Sequence, residues 1–262
     1  SPPEDENPTT VATYNVRAFY QVDHAAKQIA RWSSEMDVDV LCLQEVRKSQ
    51  TSVLEERFPF RAYAPAHNSY TVAILSGYEI LESQGLTFDG LDRSGYRGRS
   101  AMFADIVLPF DTVRVLNVHL FSTGVRDGDM SVEATREELI EAGQFLARTI
   151  AASDADRGIQ AESILNWVKE SPYPVILCGD FNGVPGGNLY ARLLGHLNDP
   201  YVFKGHGKMG TFEPLKRRFL PLKIDWTLHS PELHTTGQFA DHIPYSDHYP
   251  LMTTFTAVPI NE

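Results

Sequence analysis

Residues 174–185, PVILCGDFNGVP, carry the most informative pattern in this chain. The stretch opens with an apolar, β-rich run and breaks into a glycine turn that carries Asp180 and Asn182. This pattern predicts a buried strand that delivers polar groups to the rim of a sheet. Asp180 and Asn182 are two residues apart, so on extended backbone they point to the same side. Taken alone, the segment could equally be an ordinary turn, so its meaning depends on the other strand ends.

The length and composition indicate one large globular domain. The chain has 262 residues, of which 42% are hydrophobic and 22% are charged, which is enough for a substantial core. The formal net charge of -11 disfavours a broad electrostatic surface for nucleic acid, although metal ions and a local basic patch can offset the average. No apolar run approaches the roughly 18 residues of a membrane span.

The ends of the chain and its cysteines add a few expectations. Residues 1–9 are polar and proline-rich and are predicted to be a disordered tail or linker, with a single catalytic domain at 10–262. The start without Met favours an extracytoplasmic or membrane-tethered location, through a removed upstream segment, over a cytoplasmic one. Cys42 and Cys178 lie in apolar runs and are predicted to be buried thiols rather than part of a disulfide framework.

Strand and helix patterns are mixed along the chain. Strands are predicted at 10–16, 38–44, 70–76, 99–108, 113–120, 174–178, 222–228 and 252–256. Helices are predicted at 22–36, 49–58, 131–169 with a break near 153–157, and 189–197. Nearly continuous apolar strands such as 38–44 are buried on both faces and need layers on both sides of the sheet. The pattern therefore indicates a layered α/β domain.

Polar groups with related chemistry recur at the predicted strand ends. They are Asn15, Glu45, His119, Asp180, Asn182, Asp225, Asp247 and His248. Hard divalent cations such as Mg²⁺ prefer oxygen ligands of this kind. Most of these residues also have an ordinary explanation, for example a salt bridge for Glu45 or a hydrogen-bonded histidine for His119. Asp225 is harder to explain in this way, because an unpaired carboxylate inside an apolar strand costs several kcal/mol.

Six short motifs in sequence order resemble one family. They are TYNV at 13–16, LQEVR at 43–47, NVHL at 117–120, GDFN at 179–182, ID at 224–225 and SDH at 246–248. Together they resemble the endonuclease/exonuclease/phosphatase superfamily, which includes deoxyribonuclease I, exonuclease III and neutral sphingomyelinases. The resemblance implies a four-layer α-β-β-α sandwich with two packed mixed β-sheets and a site at one end of the sheets. It also implies a phosphodiesterase or phosphatase that cleaves a phosphate ester by in-line attack of water.

The resemblance implies a metal site at this end of the sheets. Glu45 is expected to bind Mg²⁺ or, alternatively, Mn²⁺, with Asn15 and Asp247 close to the ion. Asp180 is expected to orient or deprotonate the attacking water, or to hold a second ion. A cation in this place neutralises charge on the phosphate and helps to activate water.

The same resemblance implies roles for the remaining polar residues. Asn182 and His119 are expected to hydrogen-bond the phosphoryl oxygens. His248 is expected to act as a general base or to stabilise the transition state, because a histidine near neutral pKa suits proton transfer. Asp225 would hold His248 in the correct tautomer and orientation. On this basis, Asp180→Asn or His248→Ala is expected to abolish activity without changing thermal unfolding.

The substrate depends on the loops, which vary within a fold. Arg47 resembles a phosphate-contacting arginine, and Tyr70 a substrate-contacting tyrosine. Two arginines lie in 96–99, and the loop 122–129 follows His119 directly. The basic segment 204–223 either grips a polyanion or is a solvated loop that balances charge.

Several functions stay open from the sequence. The partner is expected to be a phosphate-ester substrate: nucleic acid, a phospholipid head group or a small phosphodiester. The chain is expected to act as a monomer with no stable protein partner. A DNA endonuclease or exonuclease is one alternative. A catalytically inactive phosphate- or lipid-binding module is another, although the intact set of polar residues argues against it.

Overall fold

A computed structural model describes residues 8–65, 70–86, 88, 100–121, 141, 148, 154–201, 205, 210–213 and 222–256. Eleven strands lie in these ranges: β1 Thr9–Asn15, β2 Val40–Val46, β3 Phe60–Tyr63, β4 Thr71–Ser76, β5 Ile80–Leu86, β6 Ser100–Val107, β7 Thr112–His119, β8 Val175–Asp180, β9 Asp225–His229, β10 His234–Ala240 and β11 Leu251–Thr256. The helices described are α1 Ala25–Glu35, α2 Asp154–Lys169 and α3 Asn188–Leu194. None of them combines the length and apolar character needed to cross a lipid bilayer.

The strands form two mixed sheets. One has six strands in the order β10-β11-β1-β2-β4-β3, and the other has five in the order β5-β6-β7-β8-β9. Each sheet contains one parallel pair near its centre, β1 with β2 and β7 with β8, and its other pairs are antiparallel. Parallel pairing places the ends of the paired strands at the same edge.

Three apolar clusters define four layers. The central cluster combines inward residues of both sheets, such as Val40 and Val115. A second cluster covers the outer face of the six-stranded sheet, where Ile29 and Trp32 of α1 pack. A third covers the outer face of the five-stranded sheet, beneath α2 and α3. This arrangement confirms the α-β-β-α sandwich expected from the sequence.

The space between the sheets becomes polar toward one end. Cys42 and Cys178 are free, buried thiols in the apolar part of this space. Further along the strands the inward positions carry Thr13, Gln44 and Asn117, all fully buried. This change in polarity marks the end of the sandwich where the site lies.

Local predictions fail mainly at short or edge elements. The helix predicted at 49–58 is instead two short 3₁₀ turns, Lys48–Gln50 and Ser52–Leu54. Strands β3, β5 and β10 were not predicted. Each of them is the outer strand of its sheet, and an outer strand carries a weaker apolar pattern because it is less completely buried. The expected helical region before residue 154 lies largely outside the described residues.

Candidate active site

The strand register brings the predicted polar residues to one edge of the sandwich. His119 ends β7 and pairs with Asp180 at the end of β8, and Asp180 pairs in turn with Asp225 at the start of β9. These three residues therefore form one row across the five-stranded sheet. Asn15 ends β1 of the facing sheet. Side chains from both sheets meet at this edge.

The carboxylate of Asp180 is the centre of the site. Its Oδ2 accepts a hydrogen bond of 2.9 Å from Asn15 Nδ2. The same oxygen lies 3.5 Å from His119 Nε2 and 3.8 Å from His248 Nε2. Asp180 is 2% exposed, so these contacts are made in an environment that strengthens electrostatic interactions.

The turn after β8 holds Asp180 by its backbone. The Asn182 N–H donates to Asp180 Oδ1 at 2.9 Å, and the Asn182 amide donates to Leu120 O at 3.3 Å. Asn182 has a φ of 49°, which is unusual for a residue other than glycine. Gly179 is required before it: its φ is 143°, and a Cβ atom would lie 1.9 Å from Val118 O. Gly179 and Asn182 of the sequence Gly-Asp-Phe-Asn therefore adopt the positive φ values that this turn requires, and the turn orients the Asp180 side chain.

Glu45 faces the same space from β2. Its Oε1 lies 3.5 Å from Asn15 Nδ2 and 3.9 Å from His119 Nε2. The Glu45 side chain is 40% exposed, so it is open to solvent where Asp180 is not. Asn15 Oδ1 accepts the Arg17 N–H at 3.0 Å, which turns the Asn15 amide nitrogen toward the two carboxylates. In this arrangement Asn15 acts as a donor that links Glu45 and Asp180.

Asp225 and His248 form a buried pair behind Asp180. His248 Nδ1 lies 2.9 Å from Asp225 Oδ2. Burial raises the pKa of Asp225 to about 6, against the lowering effect of His248. Burial alone would lower the pKa of His248, but the carboxylates of Asp225 and Asp180 outweigh it and raise this pKa to about 10. At neutral pH the pair is therefore an imidazolium held by a carboxylate.

This pair predicts a pH dependence of stability in metal-free buffer. A histidine whose folded pKa is raised stabilises the fold below its unfolded pKa of about 6.5, and that stability is lost as pH rises toward the folded value. The melting temperature in EDTA is therefore expected to fall between pH 6.5 and 9.5. Asp225→Asn removes the main attraction that raises the pKa and should make the fall shallower. Equal slopes for the wild type and this variant would contradict the assignment.

Two residues that sequence reasoning missed enclose the pair. The Phe212 ring packs on His248 with a centroid distance of 4.7 Å. Thr211 Oγ1 accepts the Asp225 N–H at 3.0 Å. Both residues lie in the short segment 210–213, and no local pattern marks it, because its role depends on contacts with distant parts of the chain.

Asp247 and Ser246 form the other wall of the site. Asp247 Oδ2 pairs with Arg17 Nη1 at 2.9 Å, and its Oδ1 accepts from Ser246 Oγ at 3.2 Å. Ser246 Oγ also contacts Asn15 O at 2.7 Å. The predicted ligand Asp247 is thus next to Asn15 but is already paired with Arg17. Ser246 is the first residue of the SDH motif and Arg17 directly follows the TYNV motif, which was the available signal for them.

Arg47 and Tyr70, the two residues expected to contact the substrate, contact each other. Arg47 Nη2 donates to Tyr70 OH at 2.7 Å, and Arg47 Cζ lies 4.6 Å from the centre of the Tyr70 ring. Tyr20, which was not predicted, joins them through an OH–OH contact of 3.1 Å to Tyr70 and is 61% exposed. The other candidate substrate segments, 96–99, 122–129 and most of 204–223, lie outside the described residues. Lys223 is described and pairs with buried Asp199 at 3.1 Å.

The chemistry of the donor set fits a divalent cation. Asp180, Asp225 and His248 present side-chain oxygen and nitrogen atoms within 4.8 Å of one another. His248 has no free nitrogen to offer a cation while it is protonated, so the candidate ligands of this group are the two carboxylates. Asp225 Oδ1 is buried and has no hydrogen-bond partner among the described groups. Glu45 adds a third, more accessible carboxylate, which Asn15 Nδ2 links to Asp180. Oxygen-rich groups with solvent access are what Mg²⁺ and Mn²⁺ require.

Comparison with known proteins identifies related folds. The model of the Endonuclease/Exonuclease/phosphatase family matches residues 12–248. A functionally unknown conserved protein from Enterococcus faecalis is 19% identical, with a TM-score of 0.74 over 95% of this chain and 100% of that one. Truncated TDP2 from Caenorhabditis elegans is 19% identical, with a TM-score of 0.65 over 96% and 98%. A mannosyl-6-phosphatase from Bacteroides thetaiotaomicron is 18% identical, with a TM-score of 0.60 over 94% and 98%. No curated protein sequence matches the chain.

Proposed function

Because this chain belongs to the endonuclease/exonuclease/phosphatase family, we propose that it is a divalent-metal-dependent hydrolase that cleaves a phosphate ester by in-line attack of water. The observation that carries the proposal is the position of Asp180. One buried carboxylate oxygen lies within 4 Å of two histidines and of the Asn15 amide. A carboxylate with only a structural role would be satisfied by one such partner, whereas Asp180 lies close to two histidines at the end of the sheets.

Each residue has a task that follows from its contacts. Asp180, flanked by imidazole nitrogens of His119 and His248, orients the attacking water and accepts its proton. His119 offers Nε2 to a phosphoryl oxygen. His248, kept protonated by Asp225, places positive charge where negative charge develops in the transition state. The hydrogen bond from the Asn182 N–H fixes the orientation of the Asp180 carboxylate. A contact between the Asn182 side chain and the phosphate remains a prediction.

Glu45 is proposed to hold the cation, Mg²⁺ or Mn²⁺. Its side chain is the most exposed carboxylate at the site, so a bound ion could keep water molecules and a phosphate oxygen as further ligands. Bound there, a divalent cation supplies charge neutralisation at the phosphoryl oxygens. Asp247 remains a proposed ligand of the cation. To bind the ion through Oδ2, Asp247 would have to give up its ion pair with Arg17. Asn15 orients Glu45 and Asp180 through its amide nitrogen.

Chelation tests the proposed metal dependence. Hydrolysis of bis-p-nitrophenyl phosphate is expected to fall to the background rate in EDTA and to return with excess Mg²⁺ or Mn²⁺. The carboxylates alone cannot supply the positive charge that the reaction needs. Circular dichroism in the same EDTA buffer is the control and should show a folded protein. Full activity after exhaustive chelation would contradict the proposal.

A substrate panel then separates the proposed substrate classes. Plasmid nicking, phospholipids, inositol phosphates and sugar 6-phosphates should be tested side by side with the same enzyme preparation. The sugar phosphates are included because one structural neighbour is a mannosyl-6-phosphatase. The protein is proposed to act as a monomer on one of these esters. Binding without hydrolysis across the panel would favour the inactive-module alternative.

A further inference from the structure

Glu45 stands on a strained irregularity of β2. The strand pairs Leu43 with Ala73 and then Val46 with Thr71, so two residues of β2 oppose one residue of β4. Glu45 itself has a φ of 52°. Such a conformation costs on the order of 1 kcal/mol for a residue with a side chain, and it persists only when its surroundings enforce it. Bulges of this kind redirect a side chain, and here the redirected side chain is Glu45.

One side chain of the facing sheet holds this bulge. Asn117 Nδ2 donates to Leu43 O at 3.0 Å and to Ala73 O at 2.9 Å. Its Oδ1 accepts from Gln44 Nε2 at 2.7 Å. Leu43 and Ala73 are the last regular pair before the bulge, and Gln44 is its first residue. Asn117 thus grips both strands at the point where the register changes.

Burial strengthens the hydrogen bonds of Asn117. Asn117 is 0% exposed, so both of its amide hydrogens and its oxygen are engaged without competition from water. It also lies on β7, two residues before His119 and on the same face of the strand. The side chain that holds the Glu45 bulge therefore belongs to the strand that presents His119, whose Nε2 lies 3.9 Å from Glu45 Oε1.

We propose that Asn117 is a positioning residue that sets the orientation of Glu45, and hence the affinity of the site for its cation, by bracing the β2 bulge across the two sheets. It touches neither substrate nor cation. The inference rests on the proposed function, since it assumes that Glu45 holds the ion. Removing an indirect support of this kind usually weakens metal affinity or activity by about 10- to 100-fold.

The test uses Asn117→Leu, which keeps the branching of the side chain and its number of heavy atoms and removes all three hydrogen bonds. Electron paramagnetic resonance titration of Mn²⁺ should show an apparent Kd raised at least about tenfold, and kcat should fall by a similar factor. The matched control is Gln238→Leu. Gln238 is equally buried in the same layer, where it donates to Thr253 Oγ1 at 3.0 Å and approaches Thr227 O in the facing sheet at 3.5 Å. The control should lose stability but keep Mn²⁺ affinity within about twofold.

The outcomes separate this inference from the proposed function. Equal Mn²⁺ affinities for Asn117→Leu and Gln238→Leu would overturn it, as would a crystal structure of Asn117→Leu with Glu45 still at positive φ and Val46 still opposite Thr71. If Asn117→Leu does not fold, Asn117→Asp keeps the shape and removes the amide donors, with the same expected shift in Mn²⁺ affinity. A wild type that binds Mn²⁺ but hydrolyses no substrate defeats the proposed function, while the affinity and crystallographic comparisons still decide the role of Asn117.

Discussion

Replacing Asp180 with asparagine is expected to reduce kcat about a thousandfold, in the range that loss of a proton-transferring group produces. The variant keeps the size of the side chain and an oxygen to accept the Asn182 N–H. It loses the negative charge that orients water between His119 and His248. Stability should fall by about 1 kcal/mol, because the single amide oxygen cannot also accept from Asn15 Nδ2. The lost attraction to His248 is offset by relief of repulsion with Asp225. Steady-state kinetics and thermal unfolding measure the two effects on one preparation.

A matched control for this variant is Asp105→Asn on the same sheet. Asp105 is as buried as Asp180, but it pairs with Arg114 through two contacts of 2.7 Å on the outer face, away from the site. Neutralising it leaves Arg114 without its partner and should lower the free energy of unfolding by about 2 kcal/mol. Its kcat should stay unchanged below the melting temperature. If Asp180→Asn retained wild-type kcat, the central role of Asp180 would be wrong.

Much of the site could be predicted from the sequence because the local sequence pattern is enough to locate the ends of strands. An apolar run that stops at a polar residue places that residue at a sheet edge. This is how Asn15, His119 and Asp180 were predicted, and the structure brings them together. The register of neighbouring strands then places these residues side by side. His119, Asp180 and Asp225 form one row because their strands end or begin at the same edge. Their predicted chemical roles remain proposals.

The parts that could not be predicted depend on long-range packing or on local irregularity. The Phe212 ring on His248 joins residues 36 positions apart through segments with no regular pattern. Glu45 was expected to follow the end of its strand, whereas β2 continues to Val46 through a bulge. A two-residue alternation cannot reveal a bulge, because the bulge breaks that alternation. The pairing of Asp247 with Arg17 was missed because it depends on the turn that follows β1.

The structure also changes what is expected of His248→Ala. From the sequence this variant should unfold like the wild type. However, His248 Nδ1 is the hydrogen-bonding partner of Oδ2 of Asp225, which is 0% exposed, and Asp225 Oδ1 has no partner among the described groups. Truncation therefore leaves a buried carboxylate uncompensated, which costs about 3 kcal/mol where that carboxylate is ionised. Activity should fall by about a hundredfold or more as well.

The double variant His248→Ala/Asp225→Asn distinguishes the structural effect from the catalytic one. Removing the second charge should recover most of the lost stability but none of the activity, because the imidazole is still absent. The single variant should also recover stability as pH falls. An aspartate with a raised folded pKa stabilises the fold below its unfolded value of about 3.9 and loses that contribution as pH rises through the folded pKa. Denaturant unfolding from pH 5 to 8 measures the stability of the double variant and the pH dependence of the stability of the single variant. A single variant as stable as the wild type at pH 8 would show that Asp225 does not depend on His248 for its charge balance.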